Sequence, residues 1–449
     1  MTSVELLSPA GTIKNMRYAF AYGADAVYAG QPRYSLRVRN NDFLMENLKI
    51  GIDEAHQLNK KFYLATNVIP HNAKVKTFMK DIEPVIALKP DALIMADAGL
   101  IMMMREAHPE VAIHLSVQAN TVNYATAKFW HNMGVERIIL SRELSLDEIE
   151  EIKQHCPELE LEVFVHGALC IAYSGRCLLS GYFNHRDPNQ GTCTNSCRWK
   201  YDTKTAEENA EGDWVLPNQD NVLSMDALNT ASCGGAERHP LADKIYFLEE
   251  ENRKGELLPV MEDENGTYIM NSKDLRAIEH VERLVKIGVN SLKIEGRTKS
   301  HYYVARTAQT YRMAIDDALS NRPFNPQLLG VLENLASRGY TDGFYQRHHT
   351  HEQQNYLTGY SKSHQQQFCG EIRDYDKETG LATIDVKNKF SVGDKVELIL
   401  PEGNKDIIIE RMENMYGQEM TEASGGGYEV RIPLPEINSA EMGLLSRYN

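Results

Sequence analysis

One pattern runs through the first 167 residues: a short apolar run, closed by glycine, proline or a polar loop, and then an amphipathic stretch, six times over and ending on a seventh apolar run. The apolar runs are VELLS (4–8), DAVYAG (25–30), KFYLATNV (61–68), DALIMAD (91–97), AIHLSVQ (112–118), ERIILSRE (136–143) and LELEVFVHG (159–167). Helices are predicted to about Tyr22, across 44–59, 73–88, 98–107 and 122–133, and from a capping Ser145 through SLDEIEEIKQHC. Such alternation implies βαβ units and a parallel sheet. The rhythm then stops for about a hundred residues. It resumes with the helical pattern NSKDLRAIEHVERLVKIG (271–288), with Ser272 as cap and Leu275, Ile278, Val281, Leu284 and Val285 as apolar stripe. NSLKIEGR (290–297) reads as an eighth strand and 301–320 as a long helix. Eight units predict an α/β fold, a TIM-like (β/α)8 barrel over residues 1–325 with an insertion at 167–270 after strand seven. A doubly wound open sheet is the alternative topology. In a barrel the strand-to-helix loops form the catalytic face, and the insertion begins on that face.

Residues 326–364 read as a connector, with a short helix near 326–336, GYTDGF and the histidine-rich RHHTHEQQN. From 365 to 449 the character changes. QFCGEIRDYD, GLATIDVK, DKVELILP, DIIIERME, GYEVRIPLP and MGLLSRYN are six short strands between turn residues, which predicts a small all-β barrel or sandwich domain.

The insertion opens with HGALCIAYSGRCLLSGYFNHRDPNQGTCTNSCRW (166–199), where Cys170, Cys177, Cys193 and Cys197 fall within 28 residues. The start MTSVELLSPAG has neither a basic region nor an apolar core of the kind that directs export, and no apolar run is long enough to span a bilayer. The cytoplasm is therefore the expected compartment, and its thiols are kept reduced. Thiolates are soft ligands for iron-sulfur clusters and zinc. Only Cys193 and Cys197 have the close spacing of a zinc knuckle, so the pattern fits irregular cluster ligation better than zinc or plain buried thiols. Cys233 is a conceivable substitute ligand, and Cys156 and Cys369 read as ordinary buried thiols.

The net charge of −15, from 48 Lys+Arg against 63 Asp+Glu, argues against a wholesale electrostatic grip on nucleic acid. It leaves room for a local basic mouth. Arg33, Arg37 and Arg39, interleaved with Tyr34 and Asn40, follow strand two; Arg198 and Lys200 lie in the insertion; Arg297 and Lys299 follow strand eight. Guanidinium groups on that face can grip a carboxylate or phosphate through paired hydrogen bonds, or simply pair with acidic neighbours. Alternation predicts that Lys293 shares a face with Glu295, that His114, Ser116 and Gln118 share one, and that Glu162, Phe164 and His166 share another, with Glu5 in strand one. Polar side chains inside a barrel are costly as mere packing and make sense as an active-site floor. The structural alternative is a salt-bridged interior in which Lys293 pairs with Glu295 or Glu5, and His114 is the most structural candidate. HEQQN (351–355) lacks the second histidine of a zincin helix, and there is no Walker A motif or nucleophile elbow. His348, His349 and His351 read as exposed linker.

ELLSPAG (5–11), YGADAVYAG (22–30), HLSVQAN (114–120), SRELS (141–145), FVHGALCIAYSGRCLLS (164–180), GTCTNSCRWKY (191–201) and SLKIEGRTKS (291–300) resemble peptidase family U32 over nearly the whole chain. The family name records a collagenase-like protease activity, but relatives carry out oxygen-independent hydroxylation of tRNA, ribosomal RNA and the ubiquinone ring. The resemblance is strongest to the branch that modifies tRNA. It implies prephenate-dependent hydroxylation of the wobble uridine to 5-hydroxyuridine, the first step towards 5-carboxymethoxyuridine. Hydroxylation of another RNA or a quinone precursor, and proteolysis, are the alternatives. The resemblance also implies a four-iron iron-sulfur cluster on Cys170, Cys177 and Cys193 by motif, with Cys197 assigned by spacing and Cys233 in reserve. Prephenate is a dicarboxylate, for which Arg33, Arg37, Arg39 and Arg297 are candidate anchors, joined by Arg198 and Lys299 as substrate-binding candidates. The catalytic candidates are Glu5, Ser116, Gln118, His166, Lys293 and Glu295. The expected partners are tRNA, prephenate and an electron-transfer protein, with no membrane.

Overall fold

The computed structural model describes residues 4–31, 33–36, 42–169, 274–335, 339–346 and 366–448, together with the backbone of short strands between 201 and 261. Eight strands form the barrel: β1 (Glu5–Pro9), β2 (Ala26–Gly30), β3 (Lys61–Ala65), β4 (Ala92–Met95), β5 (Ile113–Leu115), β6 (Arg137–Ile139), β7 (Glu160–Ala168) and β8 (Ser291–Ile294). Each pairs in parallel with the next, and β8 pairs with both β7 and β1, which closes the cylinder. The open-sheet alternative is thereby excluded. The helices are α1 (Ile13–Ala21), α2 (Met45–Gln57), α3 (Asn72–Ile86), α4 (Ala98–Ala107), α5 (Tyr124–Asn132), α6 (Leu146–His155), α7 (Val281–Ile287) and α8 (His301–Leu319). Their starts are fixed locally. Thr12, Asp97, Asn123 and Ser300 each accept a backbone N–H of the first turn, and Ser145 with Glu148 forms a reciprocal capping box.

The last strand before the insertion departs from expectation. β7 runs nine residues, and its upper half pairs antiparallel with a short strand, Asp274–Arg276, on the far side of the insertion. The helix expected across 271–288 is therefore a strand, a 3-10 turn (Ile278–His280) and the short α7. Leu275 is buried as predicted, but in a strand, because pairing with β7 overrides the local helical period. Opposite the step from Lys293 to Ile294, β7 advances from Phe164 to His166, so Val165 is an extra residue in a bulge. Within the insertion, Tyr201–Thr205, Ile245–Glu250 and Leu257–Met261 form an antiparallel three-stranded sheet.

The segment expected as a connector joins the barrel. A helix, α9 (Gln327–Glu333), buries Leu328 and Leu332 in the barrel core, and Tyr340–Thr341 extends the sheet beside Asp274–Arg276. From Gln366 the chain forms an eight-stranded antiparallel sheet with its own apolar core. All six predicted strands are present; DIIIERME is divided into Lys405–Ile408 and Met412–Asn414. This domain rests on α1 and α8. Arg306 and Glu397 pair at 2.9 and 3.1 Å where both are buried, Tyr22 donates to the carbonyls of Ile399 and Met442, and Tyr302 stacks on Phe368.

Candidate active site at the barrel mouth

The barrel interior carries a chain of charge. Arg137, the first residue of β6, bonds Glu5 at 2.6 Å, Glu160 at 2.7 Å and Glu162 at 3.3 Å. Tyr63 and Ser291 also donate to Glu5, at 2.6 and 2.8 Å. Lys293 bonds the second oxygen of Glu162 at 2.7 Å, and its ammonium lies 4.3 Å from the centre of the Tyr28 ring. The buried Glu162 and the half-buried Glu5 thus face two buried cations, the condition under which charges survive in a dry interior. Burial alone would raise the Glu5 carboxyl, but Arg137, Tyr63 and Ser291 outweigh it and hold it below the usual carboxylate range. Burial lowers the Lys293 ammonium, and Glu162 only partly restores it.

These positions sort the predicted residues by height. Glu5, Arg137 and Ser291 begin their strands, so Glu5 belongs to the N-terminal end of the barrel, away from the catalytic face. Lys293 is the third residue of β8, above them, and its partner is Glu162, where the sequence had suggested Glu295 or Glu5. His114 lies among them with its ring 4.6 Å from Tyr63; burial first, then Arg137 and Lys293, press its pKa far down, so it is neutral.

Among the described residues, four loops make the crown above this floor. Arg297, after β8, donates to Ser35 Oγ, after β2, at 2.7 Å. Gly30 makes room for that contact: a Cβ there would collide with the Arg297 guanidinium and with Ser35. Among the described residues no carboxylate pairs with Arg297, and burial lowers its pKa. After β3, Asn67 donates to Ser116 Oγ at 3.1 Å and to Gln118 Oε1 at 3.0 Å, both after β5. Ser116 and Gln118 were expected on a strand face with His114. Instead β5 ends at Leu115, and a 3-10 turn, Val117–Ala119, follows; Asn67 is what brings the two together. Asn67 was missed by sequence reasoning, and its place as a polar residue near the end of the apolar run KFYLATNV was the one available signal.

Other predicted residues lie elsewhere. His166 does not share a face with Glu162 and Phe164. The bulge at Val165 reverses its direction, and it packs against Tyr303 and Tyr311 of α8 and against Tyr340, with the Tyr311 hydroxyl 3.3 Å from Nδ1. Burial, then Lys299 and Arg276, hold it down to about 3. Arg33 points outward and pairs with Asp81 of α3 at 2.5 Å. Glu295 is buried at the end of β8, its backbone N–H bonded to His166 and its carbonyl to Tyr303. Lys299 lies 5.2 Å from the Tyr303 ring centre. Arg37, Arg39, Arg198 and the cysteines Cys170, Cys177, Cys193, Cys197 and Cys233 lie outside the described residues, as does the histidine group at 348–351. Among the described residues no group of three or more His, Cys, Asp or Glu side chains is arranged to hold a metal.

The thiols can still be apportioned. Of the seven cysteines, Cys156 ends α6 and Cys369 lies inside the C-terminal sheet, both buried. The other five fall between Leu169 and Asp274, in a segment that leaves the barrel at the top of β7. That donor set suits a soft-metal or iron-sulfur centre.

A closed parallel barrel with a basic, hydrogen-bonding crown on the C-terminal ends of its strands is a (β/α)8 protein of the kind that binds its ligand at that mouth. Residues 11–355 match the model of peptidase family U32, and residues 364–447 that of the peptidase family U32 C-terminal domain. The chain belongs to peptidase family U32. It is 59% identical over 447 residues to tRNA hydroxylation protein P of Escherichia coli, covering 100% of this chain and 97% of that protein. It is 58% identical to the protein of the same name from Haemophilus influenzae, over 99% of this chain and 96% of that one. A collagenase of Porphyromonas gingivalis is 25% identical over 96% of this chain and 95% of its own length. No described helix is long and apolar enough to cross a membrane.

Proposed function

We propose that this protein is a tRNA hydroxylase that converts the wobble uridine to 5-hydroxyuridine, with prephenate as co-substrate, an iron-sulfur cluster of the four-iron type as cofactor, and the cytoplasm as its compartment. Identity of 59% to a tRNA hydroxylation protein along the entire chain supports the tRNA reading. The observation that carries the co-substrate is Arg297. Its guanidinium sits at the mouth with a neutral hydroxyl, Ser35, as its hydrogen-bond partner among the described residues, and so offers a charge to an anion. A carboxylate seated there would gain a charge-assisted bond, typically stronger than a neutral one. Lys293, beneath it, is held by Glu162 and lowered by burial, and supplies a second cation at the base of the mouth.

Cys170, Cys177, Cys193 and Cys197 would hold the cluster, with Cys233 as alternative fourth ligand. When bound, the cluster supplies one-electron transfer. Replacing hydrogen by hydroxyl at C5 withdraws two electrons from the base, so an electron-transfer partner belongs to the proposal. The test uses a strain lacking the gene. The nucleosides of its tRNA should regain 5-hydroxyuridine derivatives with the wild-type chain and stay without them with Cys170→Ala. Full restoration by Cys170→Ala would sink the cluster-dependent reading. Anaerobic purification with iron and sulfide analysis tests the cofactor separately, and zinc in place of iron would overturn it.

A further inference from the structure

The amide of Gln118 is oriented by a relay of donors. The Leu36 N–H donates to Asn67 Oδ1 at 3.4 Å, so the Asn67 NH2 must face the other way. It does, donating to Ser116 Oγ and Gln118 Oε1 at 3.1 and 3.0 Å. The Ser116 hydroxyl donates to the same Gln118 oxygen. A rotated Gln118 would set NH2 against NH2, so the group left over is its Nε2, with two N–H donors and no hydrogen bond to a described residue. Leu36 adjoins Ser35, so this relay and the Arg297 anchor form one arc around the mouth. Two residues beyond Gln118, Asn120 holds a left-handed backbone, and Asn120 Oδ1 and Thr121 Oγ1 are buried without partners among the described residues. Buried polar atoms of that kind call for a ligand or an ordered water.

We infer that Gln118, locked as a donor by Asn67 and Ser116, reads the ring carbonyl next to the carbon being hydroxylated, and thereby selects uracil over cytosine. The inference rests on the tRNA-hydroxylase reading and names the groups that choose its base. Uracil presents an oxygen at position 4, beside C5; cytosine presents an amino group there. A fixed donor pairs with the first and is left facing another donor by the second.

The experiment uses cluster-loaded protein and two tRNA transcripts that differ only in uridine or cytidine at the wobble position. It measures kcat/KM for 5-hydroxylation of each. Wild type should favour uridine by roughly ten- to hundredfold, the factor expected of one unpaired donor. In Gln118→Glu one carboxylate oxygen keeps the bonds from Asn67 and Ser116 while the other faces the base as an acceptor, so the preference should fall or reverse. Asn67→Leu frees the Gln118 amide and should reduce the preference as well, without touching the base. Hydroxylation of uridine by wild type with an unchanged ratio in Gln118→Glu and Asn67→Leu overturns this inference alone. Wild type that hydroxylates neither transcript overturns the tRNA reading, and this inference with it.

Discussion

At the scale of single residues the mouth depends on an absent side chain. Gly30 lets Arg297 reach Ser35, and alanine at 30 would drive the guanidinium out. Gly30→Ala should therefore imitate Arg297→Ala. Both should weaken binding of a dicarboxylate such as prephenate by roughly ten- to hundredfold, the worth of one charged hydrogen bond, as read by calorimetry. The floor predicts something different. Lys293→Met leaves Glu162 buried with a charge less compensated, and should cost about 3–5 kcal/mol in urea unfolding, while the double change Lys293→Met/Glu162→Gln should recover much of it. Recovery close to zero would mean that the pair is not coupled. The sequence made Lys293 legible as an inward cation because it alternates with Leu292 and Ile294. It could not name Glu162, since two strands with no fixed separation must first be set in register.

At the scale of elements the decisive feature is one extra residue. Eight barrel strands and seven of the helices around them were legible from period and caps, because each is settled by neighbours close in sequence. The top of β7 was not, because its bulge is defined only against β8 and the strand returning from the insertion. That one residue moves His166 from the floor to the tyrosines of α8. A histidine so placed should stay neutral far into acid. Its folded pKa of about 3 lies below the unfolded value near 6.5, so the unfolded chain binds the proton first. The stability it contributes is complete above about pH 6.5 and is lost as pH falls towards 3, by roughly 1.4 kcal/mol per pH unit within that window. His301, lowered to about 4 by burial and then by Lys14, acts in the same direction, as does His114. Ring-carbon NMR should find His166 untitrated at pH 5; a midpoint near 6.5 would contradict its placement.

At the scale of the whole molecule, α8 serves two cores. One side closes the barrel beside β1, and Arg306 on the helix meets Glu397 of the C-terminal sheet. Gln366 and Asn404 also donate to that carboxylate. Glu397→Ala should strand the Arg306 charge, cost about 3–5 kcal/mol, and split one calorimetric transition into two as the domains lose their coupling. A single unshifted transition would show that the docking rests elsewhere. The division into a barrel and a β-domain was legible from the change of strand spacing near 365. The joint was not, because Arg306 sits in an unremarkable polar position of a long helix, and only the docked sheet makes it a buried charge.

Barrel closure also has a schedule. β8 bonds to β7 and β1 together, yet it is synthesised 123 residues after β7 ends. At a ribosomal pace of about 5–20 residues per second, roughly 6–25 s separate the end of β7 from the start of β8, and through that interval the sheet cannot close and Glu162 lacks its lysine. The cysteine-bearing segment emerges within that interval. Whatever order it acquires on the ribosome precedes the strand that seals the sheet beneath it, so a nascent chain halted before residue 291 is the form in which a chaperone or a loading factor would meet it.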